Sequence, residues 1–529
     1  MAMRKHQLLF NLMLLVGGCA TASAQDYYVS RLGNDLTATG KSAQSPWRTV
    51  AKMNQAMGSL RSGDKILFRA GDTFDIDPSL KGLLLDRKNG ITIDSYTTTS
   101  STAARATLRV LPGTTYGIQL QRSQGIILQN LEVIGAWNPT LPRSSAGSVT
   151  PVSYPDGIYG NWLSNSTIRN VTVRGFRGNG IHLNGSNAIT VDRVTASGNG
   201  YAGVHTQGNS PTRQIPNAGY TYDILIRNSV VEDNQGDPYR TTSHSGNGIL
   251  LENTSRSRID GCLAQRNGAL MGNAGDGGPV GIWAASSDGI TIQHCVSRNN
   301  RSRNNQDGGG FDLDQGTTNC ILQYNYSFDN QGAGFLIYTN RGFSNSGHIV
   351  RYNISDNDAL SGTTGGIAVS GQNANSNKQI RIYNNTVFGR YPTSRGIILK
   401  TTDRGAKFED YSVMVLDNLV ILQDPSRAWA TSSPGGFLQG NQAIPLDYQD
   451  IQAGRLSIPP IGATRPISLA NPDLMPYFRI QSPSVFMTIG LSNWYLPQRG
   501  SRDFFGVPFL DRRRAVGASH GITTPSSSG

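Results

Sequence analysis

The sequence is short of cysteine, short of charge and, after its first residues, without any long apolar run. Four cysteines in 529 residues are too few to hold a chain of this size together by disulfides. Charged residues make up 16% and hydrophobic residues 37%, which excludes a charge-extended disordered chain and is lean for a packed globule of helices and sheets. No segment beyond the N-terminal leader approaches the roughly 20 apolar residues of a membrane helix, so no transmembrane segment is expected. Nor does any basic cluster interleaved with aromatics recur, which speaks against nucleic acid as a partner.

What is abundant is glycine, 62 residues, set among asparagines and short apolar alternations. The first residues, "MAMRKHQLLFNLMLLVGGCATASAQ", combine a basic start at Arg4 and Lys5 with an apolar run and an Ala-Ser-Ala site. This pattern predicts a signal peptide over 1–24 and a secreted or periplasmic protein; "LVGGC" offers a second reading, lipoprotein anchoring through Cys19. Removing Arg4 and Lys5 leaves 45 basic against 35 acidic residues, a formal charge of +10. A basic secreted chain suits an anionic polymer. Cys262, Cys295 and Cys320 remain, with Cys262 and Cys295 at equal positions in successive strands and so expected to stack as buried thiols.

A short phrase, Gly followed by apolar, any, apolar, polar, returns ten times: at Gly117, Gly157, Gly180, Gly203, Gly248, Gly281, Gly310, Gly334, Gly366 and Gly396. Its spacings are 40, 23, 23, 45, 33, 29, 24, 32 and 30, as expected for one coil of fixed size carrying loop insertions. A second strand of period two follows each phrase and closes on a polar corner, as in "AITVDRVTASGN" and "CILQYNYSFDN". Asn199, Asn234, Asn267 and Asn330 hold matching corner positions, which predicts a ladder of amides bonding from coil to coil. Short strands on a fixed coil, with no helix between them, describe a parallel solenoid.

These repeats, with the opening "YYVSRLGND…SPWRTVAKMNQAMGSLRSGDKILFRAGDTF", resemble the secreted right-handed parallel β-helix proteins of the pectate-lyase-like superfamily, over roughly residues 26 to 520. The fold class expected is all-β, a solenoid with an N-terminal capping helix and an irregular C-terminal cap. Ser45 would cap that helix with Pro46 at its first position, and Val50, Met53, Met57 and Leu60 would share its buried face. The expected divisions are a cap and first coils over 25–110, the β-helix with groove-forming loops over 111–424, C-terminal coils and cap over 425–520, and a disordered tail over 521–529. The Pro-rich run after 425 would pack along the outside.

Alternation fixes orientation: the first and third positions after each Gly point inward, the second and fourth outward. The outward columns gather His182, His205, Glu252, Trp283, Asp312, Asp314 and Tyr338 on one face, while loops such as "NQGDPYRTTSHSGN", "GALMGNAGDGGPV" and "RSRNNQDGGG" build groove walls beside it. Glu252 and Asp314 lie two rungs apart, about 9.6 Å, and Asp312 and Asp314 roughly 7 Å apart on one strand. Both spacings suit the acid and base of an inverting glycosidase. The resemblance therefore implies a polysaccharide- or oligosaccharide-degrading enzyme, a glycoside hydrolase with Glu252, Asp312 and Asp314 as catalytic residues, requiring no cofactor. His182, His205, Trp283, Tyr338 and Lys400 would bind substrate.

The alternative is a polysaccharide lyase or epimerase acting on a uronate polymer, with Ca2+ held by Asp307, Asp312 and Asp314 and His205, Tyr338 or Lys400 as base. A non-catalytic adhesin on the same fold is a third reading. The acidic, Gly-His-Gly and Arg-Ile-Lys set of polygalacturonases is not found, so no roles are carried over from that family.

Overall fold

The computed structural model describes residues 23–98, 105–139, 155–208, 221–272, 277–303, 307–372, 376–401, 412–431 and 437–454, with short stretches between 408 and 519. Residues 1–22 of the leader, with Cys19, the 521–529 tail and the insertion segments 209–220, 273–276 and 304–306 lie outside the described residues. Three parallel sheets of 15, 12 and 13 strands run side by side, and successive strands of each sheet come from successive coils. The coils continue through strands Trp429–Thr431, Phe437–Gln439 and Gln442–Pro445. No helix among the described residues is long and apolar enough to cross a membrane.

All ten Gly phrases fall in the 12-stranded sheet and stack in register. Gln119, Tyr159, His182, His205, Leu250, Trp283, Asp312, Leu336, Ala368 and Ile398 are successive Cα partners. Their inward neighbours, among them Ile118, Ile181, Ile249, Ile282, Phe311 and Phe335, form the continuous core of the coil.

The phrase begins with Gly because that position abuts the corner. A Cβ at Gly180 would lie 2.7 Å from the Gly203 carbonyl oxygen and 2.8 Å from the Asn199 amide nitrogen. The corner itself is a buried ladder, Asn199, Asn234, Asn267, Asn300, Asn330 and Asp358. Each backbone N–H and each side-chain amide donates to the Oδ1 of the next member at 2.8–3.2 Å. The four asparagines expected there are all members; Asn300 completes the series and Asp358 ends it as a pure acceptor.

A second ladder lines another corner, Asn325, Asn353, Asn385, Asn418 and Asn441, bonded in the same way. Cys262 and Cys295 continue it: Cys262 N donates to Cys295 Sγ at 3.3 Å, Cys295 N donates to Asn325 Oδ1 at 3.0 Å, and the thiols are free. They stack as expected.

The N-terminal helix is shorter than the Ser45–Pro46 start implies. It spans Val50–Ala56, and its cap is Thr49, whose hydroxyl accepts from Lys52 N. Trp47 is held extended by a bridge to Val29, and Ser45 instead accepts from Thr39 N at 3.1 Å. Val50, Met53, Met57 and Leu60 are buried on the open end as expected. At the other end Leu456, Leu469, Phe478, Phe504 and Phe505 are buried against Tyr326, Tyr352, Tyr383 and Phe388 on the outside of the coil.

Asn267→Ala removes the acceptor for two Asn234 donors inside the coil. It should destabilise the chain by about 2–5 kcal/mol, since each buried donor left unpaired costs about 1–3 kcal/mol. Asp358→Asn keeps the acceptor for Asn330 and should stay within about 1 kcal/mol of the parent; urea unfolding of both variants checks the contrast.

Candidate active site

The outward columns do point away from the core, but the expected solvated face is largely buried. Walls from the insertions cover it, so His205, Leu250, Trp283 and Asp312 are each under 5% exposed. Beneath the walls lies a cavity of about 580 Å³ lined by Glu252, Trp283, Asp307, Asp312, Asp314 and Tyr338, together with His244, Asn340, Thr364 and Gln372. Among the described residues its charged lining is wholly acidic: four carboxyl groups and no Lys or Arg.

Each carboxyl group sits in a different environment. Glu252 ends the strand Asn247–Glu252, and its Oε2 is 3.2 Å from His205 Nε2. Burial holds the His205 imidazole below its ordinary range, so the neutral ring donates Nε2–H to the carboxylate. That hydrogen bond outweighs desolvation and keeps Glu252 below the usual glutamate range. Asp314 follows the strand Gly309–Leu313; its Oδ1 accepts from Gln315 N at 2.7 Å, yet burial pushes its carboxyl up to about 7. Asp307 Oδ2 accepts from Gly278 N at 2.8 Å and is pushed by burial up to about 6. Asp312 is raised well above its ordinary value by burial and then by repulsion from Asp314 and Asp307. Its Oδ1 has no hydrogen-bond partner.

Among the described residues no three His, Cys, Asp or Glu are grouped to hold a metal ion. The Asp307, Asp312 and Asp314 set expected for Ca2+ thus has the right donor type without a grouped ligand geometry, and one oxygen each of Asp307 and Asp314 is already taken by a backbone N–H.

The remaining expected residues fall in three places. Trp283 and Tyr338 line the cavity, Tyr338 donating its hydroxyl to Asn340 Oδ1 at 3.0 Å. His182 and His205 lie beside the cavity as a stacked pair, 4.9 Å apart and 10° from parallel. His205 is buried behind Glu252, and His182 Nδ1 is 3.0 Å from Asp156 Oδ2. Lys400 is exposed, three rungs from Asp314 in the stack and outside the lining.

Three participants escape the column reading. His244 comes from the wall loop "NQGDPYRTTSHSGN"; it packs between Tyr201 and Trp283, with centroids 5.4 and 5.1 Å away. Asn247 Nδ2 donates to its Nδ1 at 3.1 Å, and burial lowers it to about 4, so it is neutral. Asp156 stands one place before Gly157, ahead of the phrase, where a signal was available: "PDG" puts an acid beside the His182 rung. Asp307 joins the cavity from its loop.

Asp307 and Asp314 titrate above the ordinary aspartate value of about 3.9, so the folded chain keeps protons that the unfolded chain releases. The stability from this source is complete below about pH 4 and is lost as pH rises through about 6 and 7, the folded values. Asp314→Asn should therefore flatten the fall in melting temperature between pH 5 and about pH 8 relative to the parent; calorimetric melts across that range check the slope.

Comparison with known proteins concerns the fold. The chain is similar to a lacto-N-biosidase from Eubacterium ramulus at 16% identity, covering 78% of this chain and 68% of that one, with a TM-score of 0.49. It is similar to a mannuronan C-5 epimerase module from Azotobacter vinelandii at 15% identity, covering 75% and 93%, with a TM-score of 0.42. A surface adhesin of Streptococcus pneumoniae shares 13% identity, covering 75% and 90%, with a TM-score of 0.47. No curated protein matches the sequence. The family described as "Right handed beta helix region" matches residues 81–296 and, overlapping them, 156–347. With half the chain matched and its sheets stacked in parallel coil upon coil, this protein belongs to the right-handed β-helix family.

Proposed function

We propose that the chain is a secreted glycoside hydrolase in which Asp314 is the general acid and Glu252 the base that activates water. One observation carries this reading: within a single cavity burial raises Asp314 to about 7 while the His205 hydrogen bond lowers Glu252. Two carboxyl groups whose environments drive their ionisation apart are what acid–base hydrolysis at neutral pH needs. The two lie two rungs apart, about 9.6 Å by strand spacing. That is near the separation that leaves room for a water and supports inversion at the anomeric carbon. Trp283 and Tyr338 supply aromatic surface for a sugar.

Elimination from a uronate is less well supported. It requires the substrate carboxylate to be neutralised, and among the described residues the lining offers four carboxyl groups with no Lys or Arg. Lys400, a candidate base, stands outside the lining, and the Tyr338 hydroxyl is engaged by Asn340. A purely adhesive role leaves the opposed ionisation of Glu252 and Asp314 without a use.

Glu252→Gln and Asp314→Asn should each lower kcat by about 10²–10⁴-fold, and full activity in both variants would remove the assignment. On galactan, xylan and glucan substrates the products should be new reducing ends without unsaturated-uronate absorbance; that absorbance, on any substrate, would overturn hydrolysis.

The pH profile of kcat/KM should fall above about 7 as Asp314 loses its proton. It should fall on the acid side only below the ordinary glutamate value of about 4.3, because His205 holds Glu252 ionised.

A further inference from the structure

The hydrolase reading uses Glu252 and Asp314 and leaves part of the cavity without a task. Trp283 and Asp312 are Cα partners on adjacent rungs, and each is 4% exposed. Both line the cavity, and each carries a polar atom with no hydrogen-bond partner, the indole Nε1 and the carboxyl Oδ1. Thr364 Oγ1, in the same lining, is a third. Folded proteins pair nearly all their buried polar atoms, so three unpaired ones around one cavity mark groups that a ligand would satisfy.

The chemistry of the ligand follows from the atoms. Indole N–H is a donor only, and a carboxyl group accepts or, when protonated, also donates. Adjacent strands lie about 4.8 Å apart, so the two groups reach neighbouring positions on one ring. A hydroxyl answers both kinds of partner, as it accepts from Nε1–H and exchanges a hydrogen bond with the carboxyl. A carboxylate would answer the indole but would meet the charge of Glu252 and the buried carboxyls of Asp307 and Asp314 with no cation among the described lining residues.

We infer that Trp283 and Asp312 form a recognition site for two neighbouring hydroxyls of an uncharged sugar unit bound beside Glu252 and Asp314. The inference rests on the hydrolase reading for the sugar's position, and it makes Asp312 a specificity residue in place of a second catalytic acid. It also narrows the substrate from polysaccharides at large, anionic ones included, to those with a neutral unit at this position.

The test is binding, which does not depend on turnover. The full chain carrying Asp314→Asn is titrated by ligand-observed NMR with glucose, galactose and mannose and with glucuronate, galacturonate and mannuronate. At least one neutral sugar should bind at least about tenfold more tightly than its uronate partner, and Trp283→Phe, which keeps a ring and removes the N–H, should weaken it about tenfold, the loss expected for one well-made hydrogen bond.

Deoxy analogues of the bound sugar, titrated against the chain with Trp283 intact, should lose the same factor at two adjacent positions; this measurement holds even if Trp283→Phe fails to fold. Equal or tighter uronate binding, unchanged affinity in Trp283→Phe or for every deoxy analogue, or no binding by any of the six sugars overturns the inference. Unsaturated products from the parent chain would overturn hydrolysis while leaving the binding result standing, so the two failures are told apart.

Discussion

The structure depends on one repeated interaction, the corner asparagine whose side-chain oxygen accepts two hydrogen bonds from the coil before it and whose backbone N–H and side-chain amide each give one to the coil after. The residue preceding each member of the first ladder is left-handed, Gly198 before Asn199 and then Asp233, Arg266, Asn299, Asp329 and Asn357, with φ between 51 and 62°. That conformation is unfavourable for an L-residue. It is tolerated because the turn delivers the next side chain into the interior, where it pairs the corner N–H groups that water cannot reach. A corner bonded to its neighbour on both sides cannot shift along the chain, so the register of every strand between corners is set by it. The wall loops set out immediately after Asn234, Asn267 and Asn300, so the ladder anchors the corner from which each insertion starts.

Fixed register is what brings the chemistry together. Glu252, Trp283, Asp312 and Asp314 come from three coils, and each stands at an outward position of the same sheet. The ladder decides that they share a face, and the walls decide what that face is. Under the two wall loops holding His244 and Gly278 the face becomes a cavity, where carboxyl groups that would be ordinary in water are driven apart by burial and by their donors. Glu252 has a donor behind it in His205 that holds its carboxyl low; Asp312 has none, and burial beside two other carboxyl groups raises it.

Much of this was legible in the chain because its period is simple. Strand alternation is twofold and the coil repeats, so the ten phrases could be read as columns, and every pair in the second column from Gln119 to Ile398 is in register. His244 was not legible as a site residue, because it belongs to an insertion with no period to place it. The burial of His205 and Trp283 was hidden for the same reason: columns state direction, and the loop that covers a column is not part of it. The helix start was misplaced because Ser45-Pro46 is a sound local capping signal, whereas Trp47 is drawn into a bridge with Val29 across the end of the coil. A long-range contact outweighed a local preference.

The sequence by itself determined the coil, its inward core, the Asn ladder and which side chains leave the core on one face, since these follow from alternation and repetition, both local and periodic. Only the tertiary structure decided that this face is a cavity, that His205 serves Glu252 from behind, that His182 answers Asp156, and that Lys400 stays apart from the acids. Those outcomes depend on aperiodic loops folding back over the sheet and on the water they exclude, and the ionisation of a carboxyl group is set by the solvent and donors around it.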